Sequence, residues 1–275
     1  MKKIIAIDLD GTLLNSAKEL TAGNLAALKE AAAAGVQIVP ATGRFYKGIP
    51  EVIRDLPFIN YAITVNGATV LDVRTGEVMY EACIEPDDAV EVMEFLDTLP
   101  VIYDCYCDGW GYMTASMQKM ASEFIDLEPL LKMVFELRTP VDDLKAWTRE
   151  GKRRLQKVMA FTRNDTEYRD EVIRLISEKY PRFKISTSHP TNVEINSFDA
   201  DKGIAIRELA EALGVDIKDT AAIGDGTNDL SMIRMAGTGV AMANSCREVL
   251  EAADFVTGDC DSDGAGDAIR KLIEA

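Results

Sequence analysis

The 275-residue sequence is poor in the side chains that many metal sites and nucleophilic enzymes use. It contains one histidine and five cysteines. One histidine cannot build a multi-histidine zinc site, and no Gly-x-Ser-x-Gly segment is present to form the nucleophile elbow of a Ser-His-Asp hydrolase. The cysteines form no Cys-x-x-Cys pair, and none has an arginine six positions later, as cysteine-dependent phosphatases require. Catalysis would therefore depend on carboxylates and a metal ion.

Positive charge and long apolar runs are also scarce. Asp and Glu number 46 against 30 Lys and Arg, which gives a net charge of −16. Such a surface repels nucleic acid and anionic membranes, so we expect neither as a partner. No apolar run approaches the roughly 20 residues that span a bilayer, and no signal peptide is evident, so a cytoplasmic location is expected. An anionic substrate would need local positive charge from a metal, a lysine or a helix N-terminus.

The most informative segment follows the first apolar run, residues 4–7. Asp8 and Asp10 come directly after it, and Gly11 and a threonine follow. Strand geometry points the two carboxylates to the same side, where their repulsion calls for a cation or a shared proton. This arrangement suits phosphoryl transfer, with a carboxylate nucleophile, a carboxyl proton donor and Mg²⁺. An EF-hand loop is disfavoured because it carries its glycine sixth, whereas a plain acidic turn that caps a helix remains open.

A second acidic strand end occurs at residues 224–229, after the apolar run 220–223. If the two strands are neighbours, Asp225 can complete an oxygen site for Mg²⁺ with Asp8 and the Asp10 carbonyl. The alternative is a glycine-rich turn in which Asp229 caps the following helix.

Lys202 precedes a predicted helix at residues 203–213. The helix dipole opposes a cation there at a cost of roughly 0.3–1 kcal/mol. That cost is reasonable if Lys202 meets an anion, namely the reacting carboxylate and the transferred phosphoryl group. The alternative is a local ion pair with Asp199 or Asp201.

Two further polar segments follow predicted strands. Thr42 and Gly43 offer a hydroxyl and a backbone N–H to a phosphate oxygen, although Thr-Gly is also common in ordinary turns. Arg44 would either add charge to the site or pair with a surface acid. Asn66, before a glycine, fits either a hairpin turn or a polar group that lines the site.

The element pattern predicts an α/β fold with an insertion. Strands alternate with helices at both ends of the chain, which indicates a doubly wound parallel sheet formed by residues 1–84 and 191–275. Within it, residues 45–55 read as a helix despite a proline. Residues 85–190 carry aromatic strand-like stretches and read as a separate, inserted α+β domain. We expect its aromatic residues, Tyr103, Tyr106, Trp110 and Tyr112, to form its core.

Four motifs occur in a fixed order and resemble those of the haloacid dehalogenase superfamily of phosphohydrolases. The order and the long insertion resemble the Cof-type branch, which has a Rossmann-like core and a large cap of the C2B type. The resemblance covers essentially the whole chain. It rests on Asp8-Leu9-Asp10-Gly11-Thr12, Thr42-Gly43-Arg44, Lys202-Gly203 and Gly224-Asp225-Gly226-Thr227-Asn228-Asp229.

The resemblance also implies a role for each matching residue. Asp8 would attack phosphorus and become an aspartyl phosphate, and Asp10 would protonate the leaving alcohol and then activate water. Asp8, the Asp10 carbonyl and Asp225 would bind Mg²⁺. The phosphoryl group would be held by Lys202 and Thr42, together with Gly43, the backbone near Leu9, and Asn228.

The predicted function is a Mg²⁺-dependent phosphomonoesterase for small phosphorylated metabolites, sugar phosphates in particular. A phosphomutase and a phospho-aspartate signalling module are the alternatives. Residues 105–112 and 186–192 are candidates for substrate specificity. Additional candidate site residues are Arg44, Asn66, Asp229 and Asn192.

Overall fold

A computed structural model describes residues 2–163 and 165–274. Its strands are β1 (Ile4–Ile7), β2 (Gln37–Pro40), β3 (Tyr61–Thr64), β4 (Thr69–Asp72), β5 (Val78–Glu81), β6 (Val101–Cys107), β7 (Trp110–Thr114), β8 (Arg138–Val141), β9 (Lys157–Thr162), β10 (Phe183–Ser186), β11 (Asn192–Ser197), β12 (Thr220–Gly224), β13 (Gly239–Ala241) and β14 (Phe255–Val256). Its α-helices are α1 (Ala22–Ala33), α2 (Glu51–Arg54), α3 (Pro86–Leu96), α4 (Ala115–Phe124), α5 (Glu128–Glu136), α6 (Leu144–Glu150), α7 (Thr166–Lys179), α8 (Lys202–Ala212), α9 (Leu230–Met235), α10 (Arg247–Ala252) and α11 (Gly264–Glu274).

The chain forms two compact units, Met1–Glu81 with Ala200–Ala275, and Ala82–Asp199. The second boundary falls at 199/200 rather than at the predicted 190/191. The reason is β11, which pairs antiparallel with both β9 and β10 and so belongs to the sheet of the second unit.

The first unit contains the parallel sheet that the sequence predicts. Its strand order is β14-β13-β12-β1-β2, and every neighbouring pair is parallel. Both faces of β1 are buried, as expected for a central parallel strand. Ile5 and Ile7 pack in one cluster with residues of α1 and α11, while Ile4 and Ala6 pack in another with residues of α8 and α9. Helices therefore cover both faces, which confirms the doubly wound fold.

Two other segments of the first unit lie outside the parallel sheet. The strands β3, β4 and β5 form a separate antiparallel sheet. The predicted single helix over 45–55 is wrong, because a 3₁₀ turn at Tyr46–Gly48 and the short helix α2 lie on either side of Pro50. Proline lacks the N–H that an uninterrupted helix needs at this position and clashes with the preceding turn.

The second unit contains a six-stranded sheet with the order β10-β11-β9-β6-β7-β8. On one face, Tyr103 and Cys105 of β6 pack with apolar residues of α3, α6 and α7. Tyr106 points to the opposite face, where its hydroxyl accepts a hydrogen bond from Arg138 Nη2 at 2.8 Å. The prediction for the aromatic residues thus holds for Tyr103 and for Tyr112, which packs against the same cluster. Tyr106 is also buried, but on the opposite face, and Trp110 is only half-buried and lies outside this cluster. Successive strand residues face opposite sides, so two tyrosines three positions apart cannot share one core.

Across residues 2–163 and 165–274, none of the helices combines the length and apolar character that a bilayer crossing requires.

Candidate active site

The predicted site residues of the first unit meet where three neighbouring strands end. Asp8 follows β1 and donates its backbone N–H to Ile223 of β12 at 3.0 Å. On the other side of β1, Ala41 donates its N–H to Ile7 at 2.8 Å, and Thr42 follows. Asp225 comes directly after β12. Because these strands are parallel neighbours, Asp8, Thr42 and Asp225 share the carboxyl edge of the sheet, the edge at which open α/β proteins bind ligands.

Lys202 is the buried cation of this site. It is the first residue of α8, its side chain has no exposed surface, and its Nζ donates to Asp8 Oδ1 at 2.7 Å and Asp229 Oδ1 at 2.6 Å. Burial lowers the pKa of Lys202, but the two carboxylates raise it by more, so the ammonium stays charged. Both partners are distant in sequence, which favours the site interpretation of Lys202 over a local ion pair.

The 3₁₀ turn Val65–Gly67 helps to place Lys202. Gly67 has φ +93°, and a Cβ built on it would lie 2.3 Å from the carbonyl carbon of Asp201. Only glycine therefore allows the backbone that leads into Lys202 to pass so closely.

Asn66 combines the two interpretations that the sequence left open. Its turn connects the antiparallel pair β3 and β4, and its backbone N–H donates to the Thr42 carbonyl at 3.0 Å. Its side chain is also close to the second motif, since a Cβ on Gly43 would lie 2.8 Å from Asn66 Oδ1. Asn66 is thus both a hairpin residue and a neighbour of the Thr42–Gly43 segment.

Asp229 has more contacts than a simple helix cap. Its Oδ1 accepts from Lys202, and its Oδ2 accepts from the backbone N–H groups of Asp225 and Gly226, both at 3.0 Å. Asp229 therefore fixes the lysine and the loop that carries Asp225 at the same time.

Three carboxylates converge at this point and fit a hard divalent cation. Asp8, Asp225 and Asp229 each offer an oxygen, and these oxygens lie within 4.8 Å of one another. Burial and the neighbouring Asp229 raise the pKa of Asp8 to about 8, and burial also raises the pKa of Asp225. Lys202 offsets one of the three charges, and a divalent cation would offset the other two. Because Asp229 already uses both oxygens, Asp8 and Asp225 are the better ligands.

Thr12 orients the Asp225 carboxylate. Its side chain is fully buried, and its hydroxyl donates to Asp225 Oδ1 at 2.7 Å. This partner of Thr12 is not predicted from the sequence, in which the hydroxyl is only part of the first motif. Its place immediately after Asp-x-Asp-Gly was the available signal.

Asp10 faces two cations rather than the metal cluster. Arg44 forms a bidentate pair with it, from Nε to Oδ2 at 2.8 Å and from Nη2 to Oδ1 at 2.9 Å. Lys18 Nζ lies 3.1 Å from Asp10 Oδ1. Burial raises the pKa of Asp10, but Arg44 and Lys18 outweigh it and hold the carboxyl below its usual pKa. Of the two predicted possibilities for Arg44, pairing with an acid is observed, and the acid belongs to the first motif.

The remaining predicted residues differ in their surroundings. Thr42 is buried, and its hydroxyl accepts from the Arg44 backbone N–H at 3.2 Å. The Leu9 side chain is buried in the core, so any contact with a ligand would come from its backbone. Asn228 is exposed on the turn Thr227–Asp229. Asn192 lies in the second unit, where its Oδ1 accepts from Ser188 and His189 N–H groups and organises a loop.

Comparison with known proteins agrees with the motif resemblance. A family model described as haloacid dehalogenase-like hydrolase matches residues 5–269. A Bacillus subtilis (strain 168) protein named "Putative phosphatase YxeH" is 35% identical over 280 residues, covering 100% of both chains. From the same organism, 5-amino-6-(5-phospho-D-ribitylamino)uracil phosphatase YcsE is 30% identical and aligns over 98% of this chain and 96% of its own length.

Solved structures of haloacid dehalogenase-like hydrolases share the fold of this chain. A haloacid dehalogenase-like hydrolase from Bacteroides thetaiotaomicron matches with a TM-score of 0.82 and 26% identity, covering 99% of this chain and 100% of that one. The family model covers nearly the whole chain, and the relatives align with it over nearly their full length. The chain therefore belongs to the haloacid dehalogenase-like hydrolase family.

Proposed function

We propose that this protein is a Mg²⁺-dependent phosphomonoester hydrolase that acts on small phosphorylated metabolites, with an aspartyl phosphate on Asp8 as the intermediate. The observation that carries the proposal is the buried bridge from Lys202 to Asp8 and Asp229, at 2.7 and 2.6 Å. A buried lysine that holds a carboxylate at the ligand-binding edge of a parallel sheet is suited to a substrate that brings further negative charge.

In the first half-reaction, Asp8 attacks phosphorus while the ester oxygen leaves as an alcohol. Lys202 orients the Asp8 carboxylate through Oδ1 and, with the Thr42 hydroxyl, faces the phosphoryl oxygens. Asp10 supplies the proton that the departing alkoxide needs. This division of roles requires Asp8 to be fixed, which its bond from Lys202 provides, and Asp10 to be able to exchange a proton with the leaving group and with water.

In the second half-reaction, a water molecule attacks the phosphorus of the aspartyl phosphate. Asp10, now anionic, accepts the proton of this water, and cleavage of the P–O bond regenerates the Asp8 carboxylate and releases phosphate. Lys202 remains in place throughout, because its contact with Asp229 holds it when Asp8 is esterified. Catalysis of this kind depends chiefly on positioning and on charge stabilisation.

The same residues would hold the metal ion. The Asp8 and Asp225 carboxylates, whose oxygens converge, would provide the oxygen ligands that Mg²⁺ prefers, and the Asp10 carbonyl would add another. When bound, Mg²⁺ supplies neutralising charge for the carboxylates and the phosphoryl oxygens.

We further propose that the substrates include phosphorylated sugars or sugar alcohols. Support comes from the relative YcsE, whose name describes a substrate with a phosphate ester on a ribityl chain. Full-length similarity to that protein makes an ester of a polyhydroxylated chain a reasonable substrate class.

The test is phosphate release from a panel of phosphorylated metabolites, with Mg²⁺ and with EDTA. Wild type is compared with Asp8→Asn and with Asp55→Asn, which alters a carboxylate whose side chain is 69% exposed. We expect Mg²⁺-dependent release that is lost only in Asp8→Asn, since an amide cannot attack phosphorus. Normal release by Asp8→Asn would refute the nucleophile assignment. Phosphoryl transfer to a second sugar hydroxyl with little free phosphate would instead identify a phosphomutase.

A further inference from the structure

The carboxylate of Asp10 is held by two cations from different parts of the first unit. Three of the roughly four acceptor positions of an ionised carboxylate are occupied, two by Arg44 and one by Lys18. In a chain with a net charge of −16, two cations contact this one carboxylate, and the charge of Lys18 also acts to lower the pKa of Asp225, which burial raises. We call Lys18 and Arg44 the cation pair.

Arg44 is fixed independently of Asp10. Its Nη1 donates to the Gly48 carbonyl at 3.1 Å, and its side chain is only 31% exposed. The guanidinium would therefore stay in place if the Asp10 carboxylate moved away.

Lys18 is held by the turn that carries it. It has φ +62°, a left-handed conformation that is unfavourable for a residue with a Cβ. Its N–H donates to the Asn15 carbonyl, Asn15 N–H donates to the Glu19 carbonyl, and Ser16 N–H donates to Asp261 Oδ1 at 2.8 Å. These bonds fix the turn, and a side chain that is 57% exposed still reaches Asp10.

This arrangement conflicts with the chemistry that Asp10 is proposed to perform. To serve the leaving alcohol, an Asp10 oxygen must lie within hydrogen-bond distance of the ester oxygen. The cation pair already occupies both oxygens of this carboxylate. The contacts must therefore loosen during turnover, and a group that takes over the cation pair would loosen them. The cation pair lies one hydrogen bond from the Asp10 oxygens that serve the leaving alcohol. The group that takes over the cation pair would therefore be part of the same alcohol.

We propose that Lys18 and Arg44 form a subsite for a second anionic group, a carboxylate or a phosphate, on the alcohol portion of the substrate. Binding of that anion replaces Asp10 as the partner of the cation pair and frees the Asp10 oxygens to approach the ester oxygen. The inference rests on the proposed phosphatase function. Among small phosphorylated metabolites, it favours phosphomonoesters whose alcohol is itself negatively charged, such as phosphorylated sugar acids and sugar bisphosphates.

The experiment compares substrates that differ only in the second anion. 3-Phosphoglycerate and glycerol 3-phosphate test a carboxylate, and fructose 1,6-bisphosphate and fructose 6-phosphate test a second phosphate. We expect wild type to favour the more anionic member of at least one pair by about tenfold in kcat/KM, the size expected when a charge-assisted contact is gained. This exceeds the statistical factor that the bisphosphate gains from having two esters. The pair that shows the preference identifies the anion.

Lys18→Gln is the diagnostic variant because Lys18 is exposed and its loss should not disturb folding. We expect the preference to fall by roughly threefold to fivefold, which is the scale of an exposed ion pair, mainly through a higher KM for the anionic substrate. Lys18→Arg should restore the preference for the anionic substrate. Lys29→Gln removes the same charge from an exposed position on α1 and should leave the preference intact.

Three results would overturn the proposal: equal kcat/KM within both pairs, an unchanged preference in Lys18→Gln, or failure to cleave either pair although p-nitrophenyl phosphate is hydrolysed. Absence of hydrolysis for every compound, p-nitrophenyl phosphate included, would instead overturn the phosphatase function itself.

Discussion

The buried bridge at Lys202 predicts a large loss of stability in Lys202→Met. Methionine fills a similar volume, so the principal change is the loss of the positive charge between Asp8 and Asp229. The lysine and Asp229 side chains are 0% and 1% exposed. Removal of one partner from a buried ion pair leaves an uncompensated charge and costs about 3–5 kcal/mol in the free energy of unfolding. With a urea m-value of about 2 kcal/mol/M, the midpoint would fall by roughly 2 M.

The assay is urea unfolding, with far-UV circular dichroism as the probe of unfolding. Fluorescence is unsuitable because both tryptophans, Trp110 and Trp147, lie in the second unit, whereas Lys202 lies in the first. Lys29→Met provides the control, since it removes a lysine from an exposed helix position. If Lys202→Met lowers the midpoint no more than Lys29→Met, the lysine does not stabilise two buried carboxylates and the reasoning fails.

A double-mutant cycle gives a second, independent test of the same bridge. Asp229→Asn removes one of the two carboxylates that Lys202→Met leaves without a cation. The double variant should therefore be more stable than the sum of the single effects predicts, by about 0.5–3 kcal/mol. Strict additivity would mean that the two side chains do not interact.

Three other perturbations have defined outcomes. Asp10→Asn should slow turnover by about 10²–10⁴-fold, the usual scale for acid–base catalysis, with Mg²⁺ binding retained in a titration; an unchanged kcat would exclude proton transfer by this residue. Thr12→Val should raise the Mg²⁺ concentration for half-maximal activity by about 10–100-fold, because the hydroxyl orients a metal ligand, and an unchanged Mg²⁺ titration would contradict this. Gly67→Ala should destabilise the protein by about 1–3 kcal/mol in thermal unfolding and lower kcat, since the new methyl group displaces the backbone before Lys202. Gly76→Ala is its control, with φ +77° and nothing within 4 Å of the added Cβ, and an equal effect there would show that backbone strain alone is responsible.

The sequence predicts the parallel core and its acidic edge well because both have local signatures. An apolar run that ends in a carboxylate marks a central strand and the position of its carboxyl end, as at Ile7–Asp8 and Gly224–Asp225. Once two such strands are recognised, parallel pairing alone brings their ends together. The sequence left open whether the two strands are neighbours, and the parallel pairing of β1 with β12 meets that condition.

The errors occur where the deciding interaction is not local. The strand β11 was assigned to the core from its position in the chain, but strand pairing places it in the second unit. Tyr106 is buried as its residue type predicts, but the alternation along β6 turns it towards Arg138 rather than into the apolar cluster. Lys18 was missed altogether, since its left-handed backbone and its contact with Asp10 have no sequence signature.

Buried cations show most clearly why such contacts escape prediction. Lys202 bonds Asp8 across 194 positions, Arg138 bonds Asp104 across 34, and Lys157 bonds Glu194 across 37. A charged side chain is stable inside a protein only when its partner is present, so its burial is decided by the fold rather than by its neighbours in the chain. Lys202 could be predicted because a helix N-terminus is an unfavourable place for a cation, and that local conflict pointed to a distant anion. Arg138 and Lys157 lie in strands, which have only a small dipole to conflict with, so no comparable signal exists.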